Sequence, residues 1–239
     1  MSRLAWVLLC SGCELVFPLK DRATTDAPIQ PVVGCEDPDL FACFQFEDNL
    51  VDSSMRENSL VANDQFSFIP GIDGRALATT AESRIEFASP VKLDVQSELT
   101  IETWILTDAT TGRDQTAIDH DACWALTITD TGNVACFAQA TKITATKIDL
   151  GRWNHIACTQ VDDQLEIFIN GQRALTESEI DVRFDGCSQA AIGGEAPPDS
   201  VPETPLIGAL DRFRVFNRVR LDTELMAEFT AFAAARDPR

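Results

Sequence analysis

The chain has 239 residues, with 38 acidic against 19 basic side chains and a formal net charge of −19 at pH 7. So large a surplus of acid excludes a nucleic-acid binder, and it excludes docking on anionic lipid through a basic patch, because both need clustered Lys and Arg. The hydrophobic fraction of 45% is that of a folded chain, so the acidity does not signal disorder.

In chain order, the first segment reads as an export leader. Arg3 is the only charge in the first 13 residues, and Leu4-Ala5-Trp6-Val7-Leu8-Leu9-Cys10 is a short apolar core. Ser11 and Gly12 are small residues before Cys13, as a secretory cleavage site requires. Small residues directly before a Cys also resemble a bacterial lipobox, in which Cys13 is lipidated and becomes the mature N-terminus. Cys10 stands where that box has an aliphatic residue. Cys10 and Cys13 form a C-x-x-C, but redox or zinc chemistry needs that motif in a folded domain rather than at the end of a leader. The expected division is a signal peptide over 1–12, lipidated Cys13 with a linker over 13–34, and a folded domain over 35–236. Cleavage after Gly12 leaves 18 basic against 38 acidic residues, a charge of −20. Acyl chains on Cys13 would hold such a domain on a membrane, expected to be the outer membrane, without any basic patch. Residues 20–31 are polar, contain Pro28 and Pro31, and suit an extended tether.

Six cysteines follow the leader: Cys35, Cys43, Cys123, Cys136, Cys158 and Cys187. An even number in an exported chain implies disulfides. Cys35 and Cys43 flank a short acidic loop and are expected to pair, while the spacing of the other four leaves their pairing open. Paired C-x-x-C spacing, as in a structural zinc site, is absent from these six.

Short strand-like runs separated by turn signals dominate the rest. They include Phe41-Ala42-Cys43-Phe44-Gln45-Phe46, Ile85-Glu86-Phe87 and residues 99–106. Residues 124–129 and 134–137 read as a hairpin across Asp130-Thr131-Gly132-Asn133. Residues 153–161 and 164–169 form two more strands, and Leu165, Ile167 and Ile169 share a face because side chains alternate. Asn170-Gly171 is a tight-turn signal, and residues 209–216 read as a last strand. Only the tail is helical in pattern. Asp222 stands where an N-cap belongs, and Leu225, Met226, Phe229 and Phe232 make an apolar stripe expected to lie on the sheets.

Six segments in this order resemble the laminin-G-like domains of the concanavalin A-like lectin/glucanase superfamily. They are Phe44-Gln45-Phe46 with Asp52-Ser53-Ser54, Gly71-Ile72-Asp73-Gly74-Arg75-Ala76-Leu77, and Thr100-Ile101-Glu102-Thr103-Trp104. Gly151-Arg152-Trp153-Asn154-His155-Ile156-Ala157, residues 165–171 and residues 208–218 complete the set. The resemblance implies an all-β, two-sheet antiparallel jelly-roll sandwich with a short C-terminal helix.

Function has to be argued from the site, because this fold carries lectins, protein-binding modules and glycoside hydrolases. Laminarinase-type relatives carry E-x-D-x-x-E on one strand. Glu179-Ile180-Asp181 begins that motif here, but Phe184 occupies the acid/base position and Asp185 would point to the other face of a strand. A glucanase is therefore the disfavoured alternative, and the expectation is no enzyme. The resemblance also implies a structural Ca²⁺ held by Asp48, Asp52 and Asp211, with Asn49 beside them. Without that ion, Asp52 caps a turn and Asp211 accepts backbone hydrogen bonds. His155 matches a scaffold position, and His120 is expected in a solvated acidic loop. Trp104 and Trp153 match scaffold positions too, which leaves Trp124 as the one candidate for stacking on a sugar. With no Tyr in the chain, the aromatic surface for a glycan looks small. The long loop over residues 197–205, with four prolines, is a further place for binding. The functional expectation is a non-catalytic module for carbohydrate or an envelope or extracellular protein, with a purely structural surface lipoprotein as the remaining alternative.

Overall fold

The computed structural model describes residues 34–89, 93, 98–108, 110–121, 123–138, 140–178, 187, 189–195 and 204–237. The leader, Cys13 and nearly all of the tether lie outside these residues, as do residues 179–184 and most of the proline-rich loop.

Two sheets pack face to face. The larger has eight strands. Its order is β13 (Gln172–Glu177), β12 (Gln164–Ile169), β11 (Asn154–Val161), β6 (Glu98–Leu106), β15 (Gly208–Phe216), β4 (Arg75–Thr79) and β3 (Phe66–Pro70), with β1 (Leu40–Phe44) beside the second half of β15. The smaller has seven, in the order β10 (Ala140–Lys147), β9 (Asn133–Ala138), β8 (Trp124–Ile128), β7 (Gln115–His120), β14 (Ala191–Ile192), β5 (Ile85–Phe87) and β2 (Leu60–Ala62). The ladders between these strands are antiparallel, and the chain crosses repeatedly from one sheet to the other, the jelly-roll sandwich that the resemblance implies.

Strand alternation explains the core. Ile101 and Ile105 of β6, Ile156 of β11, and Leu165, Ile167 and Ile169 of β12 share one buried cluster with Trp124, Leu126 and Ile128 of β8. Each large apolar side chain so enclosed contributes about 1.5–3 kcal/mol. The Asn170-Gly171 turn has φ of 53° and 74°, as a tight hairpin turn requires. It also has no room for a side chain at Gly171, where a Cβ would sit 3.0–3.1 Å from Phe229 and Met226.

The disulfides divide the stapling. Cys35–Cys43 forms as expected and closes the loop before β1. Cys136 of β9 bonds Cys158 of β11 and so joins the two sheets through the core. Cys123 bonds Cys187, tying the turn after β7 to the segment before β14. Three such bonds fit an exported protein, and no helix among the described residues is long and apolar enough to cross a membrane.

The helix α1 (Asp222–Phe232) lies on the outer face of the larger sheet. Phe229 stacks on Trp104 with ring centroids 6.0 Å apart, and Phe232 meets the same ring edge-on at 6.2 Å. Leu225 packs against Phe168 and Ala157. Met226, counted in the apolar stripe, is 38% exposed. The N-cap is Leu221 rather than Asp222: the Glu224 carboxylate accepts the Leu221 N–H at 2.7 Å, while Asp222 pairs with Arg173 at 2.6 Å. Glu224 can do both jobs of an N-terminal acid, accepting an open amide and countering the helix dipole.

Candidate binding face

The outer face of the smaller sheet is fixed by what points inward. Trp124, Leu126 and Ile128 fill the core, so Ala125 and Thr127 face out. Cys136 is turned inward by its bond to Cys158, which forces Phe137 outward. Strand pairing then aligns one row across the sheet: Phe137 opposite Ala125, Ala125 opposite Asp119, Asp119 opposite Ala191, Ala191 opposite Glu86, and Glu86 opposite Val61. Phe137 is 41% exposed and Val61 is 63% exposed, while Ala125 and Ala191 are recessed between their larger neighbours. With strands about 4.8 Å apart, Phe137, Asp119 and Glu86 recur about every 10 Å along the row. Beside it, the Thr116 hydroxyl bonds those of Thr127 at 3.2 Å and Thr204 at 2.7 Å. The row thus carries an aromatic ring, short side chains and the carboxylates of Asp119 and Glu86, the latter paired with Arg84 Nε.

Trp124 is not on this face. It is 1% exposed and packs in the core, its ring centroid 5.0 Å from that of His120, so the stacking role expected for it is corrected. His120 is corrected with it: the side chain is fully buried at the end of β7 rather than solvated, and burial lowers its pKa to about 4. Aromatic composition alone does not single out Phe137. The signal that finds it is parity, since it stands next to a cysteine committed to the core.

The three carboxylates expected to share Ca²⁺ have separate tasks. Asp52 is buried, and five donors fill its oxygens. Oδ1 accepts the N–H groups of Cys43 and Ser54 at 2.8 and 2.9 Å. Oδ2 accepts Ser54 Oγ, Asn58 N and Asn58 Nδ2 at 2.9, 2.8 and 2.6 Å. Asp48 is exposed and pairs with Arg75 Nε at 3.0 Å. Asp211 is fully buried, and its Oδ2 accepts the N–H groups of Ile72 and Asp73 at 2.9 and 3.1 Å. Gly71 permits this approach, because a Cβ there would lie 2.4 Å from Asp211 Oδ2. Burial pushes the Asp211 carboxyl up to about 7 against the pull of these amides and of Arg212. Asn49 turns its side chain onto its own loop, bonding the Glu47 carbonyl and the Val51 N–H. Among the described residues no three His, Cys, Asp or Glu side chains are grouped to hold a metal. Ca²⁺ needs about six to eight oxygen ligands, so this donor set does not fit a shared calcium site.

Carboxylates do come close together elsewhere, under α1. Glu102 Oε1 and Glu228 Oε2 lie 2.6 and 2.7 Å from the same nitrogen, Arg214 Nη2. Arg220 Nη1 reaches both oxygens of Glu102 at 2.5 Å, and His155 Nε2 is 3.7 Å from Glu102 Oε2. Burial would raise the Glu102 carboxyl, but the charges of Arg214 and Arg220 outweigh it and hold the group well below the usual range. Hydrolysis of a glycoside requires an acid that keeps its proton and a cleft that admits substrate. Neither carboxylate of this cluster reaches solvent, and both face guanidinium groups. The cluster seats the helix.

A laminin-G domain model, described as the concanavalin A-like lectin/glucanases superfamily, matches residues 79–226. The chain belongs to this superfamily. Solved structures of other proteins share the fold at low identity. The binding domain of Paraclostridial mosquitocidal protein 1 superposes with a TM-score of 0.67 at 18% identity, over 81% of this chain and 52% of that one. Domain 4 of AbnA, an extracellular arabinanase from Geobacillus stearothermophilus solved with arabinotriose, gives 0.63 at 18% identity, over 78% and 96%. The binding domain of botulinum neurotoxin DC, solved with rat synaptotagmin II, gives 0.59 at 13% identity, over 81% and 52%. The chain therefore spans about half the length of the first of these and nearly all of the second. No curated protein matches the chain.

Proposed function

We propose that the protein is a non-catalytic binding module that takes a carbohydrate chain on the outer face of its smaller sheet. The observation that carries this reading is Phe137, a ring left open on an inner strand of the sheet, in line with recessed alanines and two carboxylates. An aromatic face beside hydrogen-bonding groups matches the two sides of a sugar, one apolar and one hydroxylated. The likeness to an arabinanase domain solved with arabinotriose supports a sugar ligand, and the likeness to a toxin binding domain solved with synaptotagmin keeps a protein partner as the second reading. In both readings the module is exported and held on the envelope by lipid on Cys13, with residues 13–34 as the tether to the domain over 35–236.

A glycan array probed with wild type and Phe137→Ala tests the ligand. Binding to a neutral glycan that is lost in the variant is expected. Silence across the array, together with a protein partner retained equally by both forms, would refute the proposed face. Mass spectrometry of the native N-terminus tests the anchor, and an unmodified residue at position 13 would exclude it.

A further inference from the structure

We infer that arginine side chains, not a divalent cation, neutralise the acidic end of this sandwich, so that the fold is independent of Ca²⁺. Three backbone segments meet there: the loop around residues 45–49, the turn 71–74 and the bulge of β15 at Asp211 and Arg212. They bring Glu47, Asp48, Asp73 and Asp211 into one neighbourhood, and they do so with costly backbone, since Phe46, Asp48 and Arg212 have φ of 58°, 53° and 51°. Such an arrangement calls for positive charge. Two guanidinium groups supply it. Arg75 donates Nε to Asp48 at 3.0 Å and its backbone N–H to the Glu47 carboxylate at 3.2 Å, and it anchors Nη2 on the Phe68 carbonyl at 2.6 Å. Arg212 donates Nη1 to Asp73 at 2.9 Å and Nε to Glu228 at 2.8 Å, and it lies 4.4 Å over the Phe232 ring. The fourth acid, Asp211, faces backbone amides.

The geometry suits guanidinium better than metal. A guanidinium presents a fixed fork of N–H donors, and one group can serve a carboxylate and a carbonyl together. A hard cation would need about six to eight oxygens turned toward one point. Glu47, Asp48, Asp73 and Asp211 Oδ2 accept from separate N–H donors, contacts that an incoming ion would have to break first, and the buried Asp211 Oδ1, which has no hydrogen-bond partner among the described residues, would supply only one ligand.

The test is thermal unfolding of the full chain in EDTA and in millimolar CaCl₂. A structural site filled at a hundred times its Kd would raise Tm by about 5–10 °C in a chain of this size. For the wild type we expect a difference within about 1 °C. Arg75→Gln leaves Asp48 without its guanidinium, while Glu47 keeps the backbone N–H of residue 75, and that variant is expected to gain about 3 °C or more from CaCl₂. A wild-type shift of several degrees would overturn the inference, as would a folded Arg75→Gln variant as indifferent to Ca²⁺ as the wild type. If Arg75→Gln does not fold, the wild-type comparison decides alone.

Discussion

Replacing Glu102 by Gln tests whether the buried ion cluster holds the helix in place. The substitution keeps shape and removes one charge at the centre of Arg214, Arg220 and His155. Arg214 retains Glu228 at 2.7 Å, but Arg220, with no exposed surface, is left with the Glu224 carbonyl at 3.4 Å and the Phe216 ring. Removing one partner of a buried pair costs about 3–5 kcal/mol, because a desolvated charge is left uncompensated. In a chain of this length that corresponds to a fall in Tm of about 6–20 °C. Unfolding followed by tryptophan fluorescence reads it directly, since Trp104 and Trp153 lie under α1 and Trp124 in the core. The pH dependence has a definite sign. The folded carboxyl titrates below its ordinary value, so its contribution is complete above about pH 4.3 and is lost as pH falls through the folded pKa. The gap between wild type and variant should therefore be full at pH 7 and close in acid. Changing Glu102 and Arg220 together to Met should be milder than Glu102→Gln, because no lone charge remains. A loss below about 1 kcal/mol for Glu102→Gln at pH 7 would refute this account of the cluster.

Three further outcomes are expected. Cys136→Ala with Cys158→Ala, which opens a cross-link of sequence separation 22, should cost about 3 kcal/mol in urea unfolding through the freed unfolded chain; a loss under about 1 kcal/mol would show the sheets to be held by packing alone. Phe137→Ala should change stability by no more than about 0.5 kcal/mol but weaken ligand binding by about 2 kcal/mol, near 30-fold, in a titration calorimeter. Asp211, raised by burial to about 7, makes the fold lose stability as pH climbs from about 4 to 7, while His120, lowered by burial to about 4, makes it lose stability as pH drops from about 6.5 to 4. Asp211→Asn should therefore expose a rising stability profile across that window, and an unchanged profile in urea titrations would count against a buried Asp211.

The sandwich was legible because each strand carries its own alternation and its own turn. Leu165, Ile167 and Ile169 announce an inward face, and Asn170-Gly171 announces where it ends. The first disulfide was legible from its short loop. The other two were not, because Cys136 and Cys158 meet across the core from strands in different sheets, a proximity that only the assembled fold creates. Spacing misplaced His120 for a related reason. Asp119 and Asp121 on either side suggest water, yet alternation turns His120 inward while Asp119 faces out. The metal expectation took residue types at resembling positions as ligands. It could not see that five donors already surround Asp52 or that Arg75 and Arg212 come from segments distant in sequence.

The acidity of the chain acquires a physical account from where its arginines go. At least nine of the described arginines stand in ion pairs: Arg75, Arg84, Arg152, Arg173, Arg212, Arg214, Arg218, Arg220 and Arg236. Arg212 and Arg214 on β15 pair with Glu228 of α1, Arg218 pairs with Glu224 of α1, and Arg220 pairs with Glu102 beneath the helix, so all four help to seat it, while Arg212 also holds Asp73. Arg214 and Arg220 place their charge in the interior, while Arg75, Arg152 and Arg173 pair at the surface. A polyanionic ligand would meet the carboxylates of Asp119 and Glu86 on the Phe137 row, where Arg84 already pairs with Glu86. The same reasoning narrows the meaning of the missing tyrosine. A tyrosine would bring a ring and a hydroxyl to one point, whereas here the ring is Phe137 and the polar groups are Asp119, Glu86 and the threonine hydroxyls beside them. Under the proposed reading, selectivity on this face depends on the spacing set by the strands, and the ligand proposed for it is a neutral chain with a repeat near that of alternate strands.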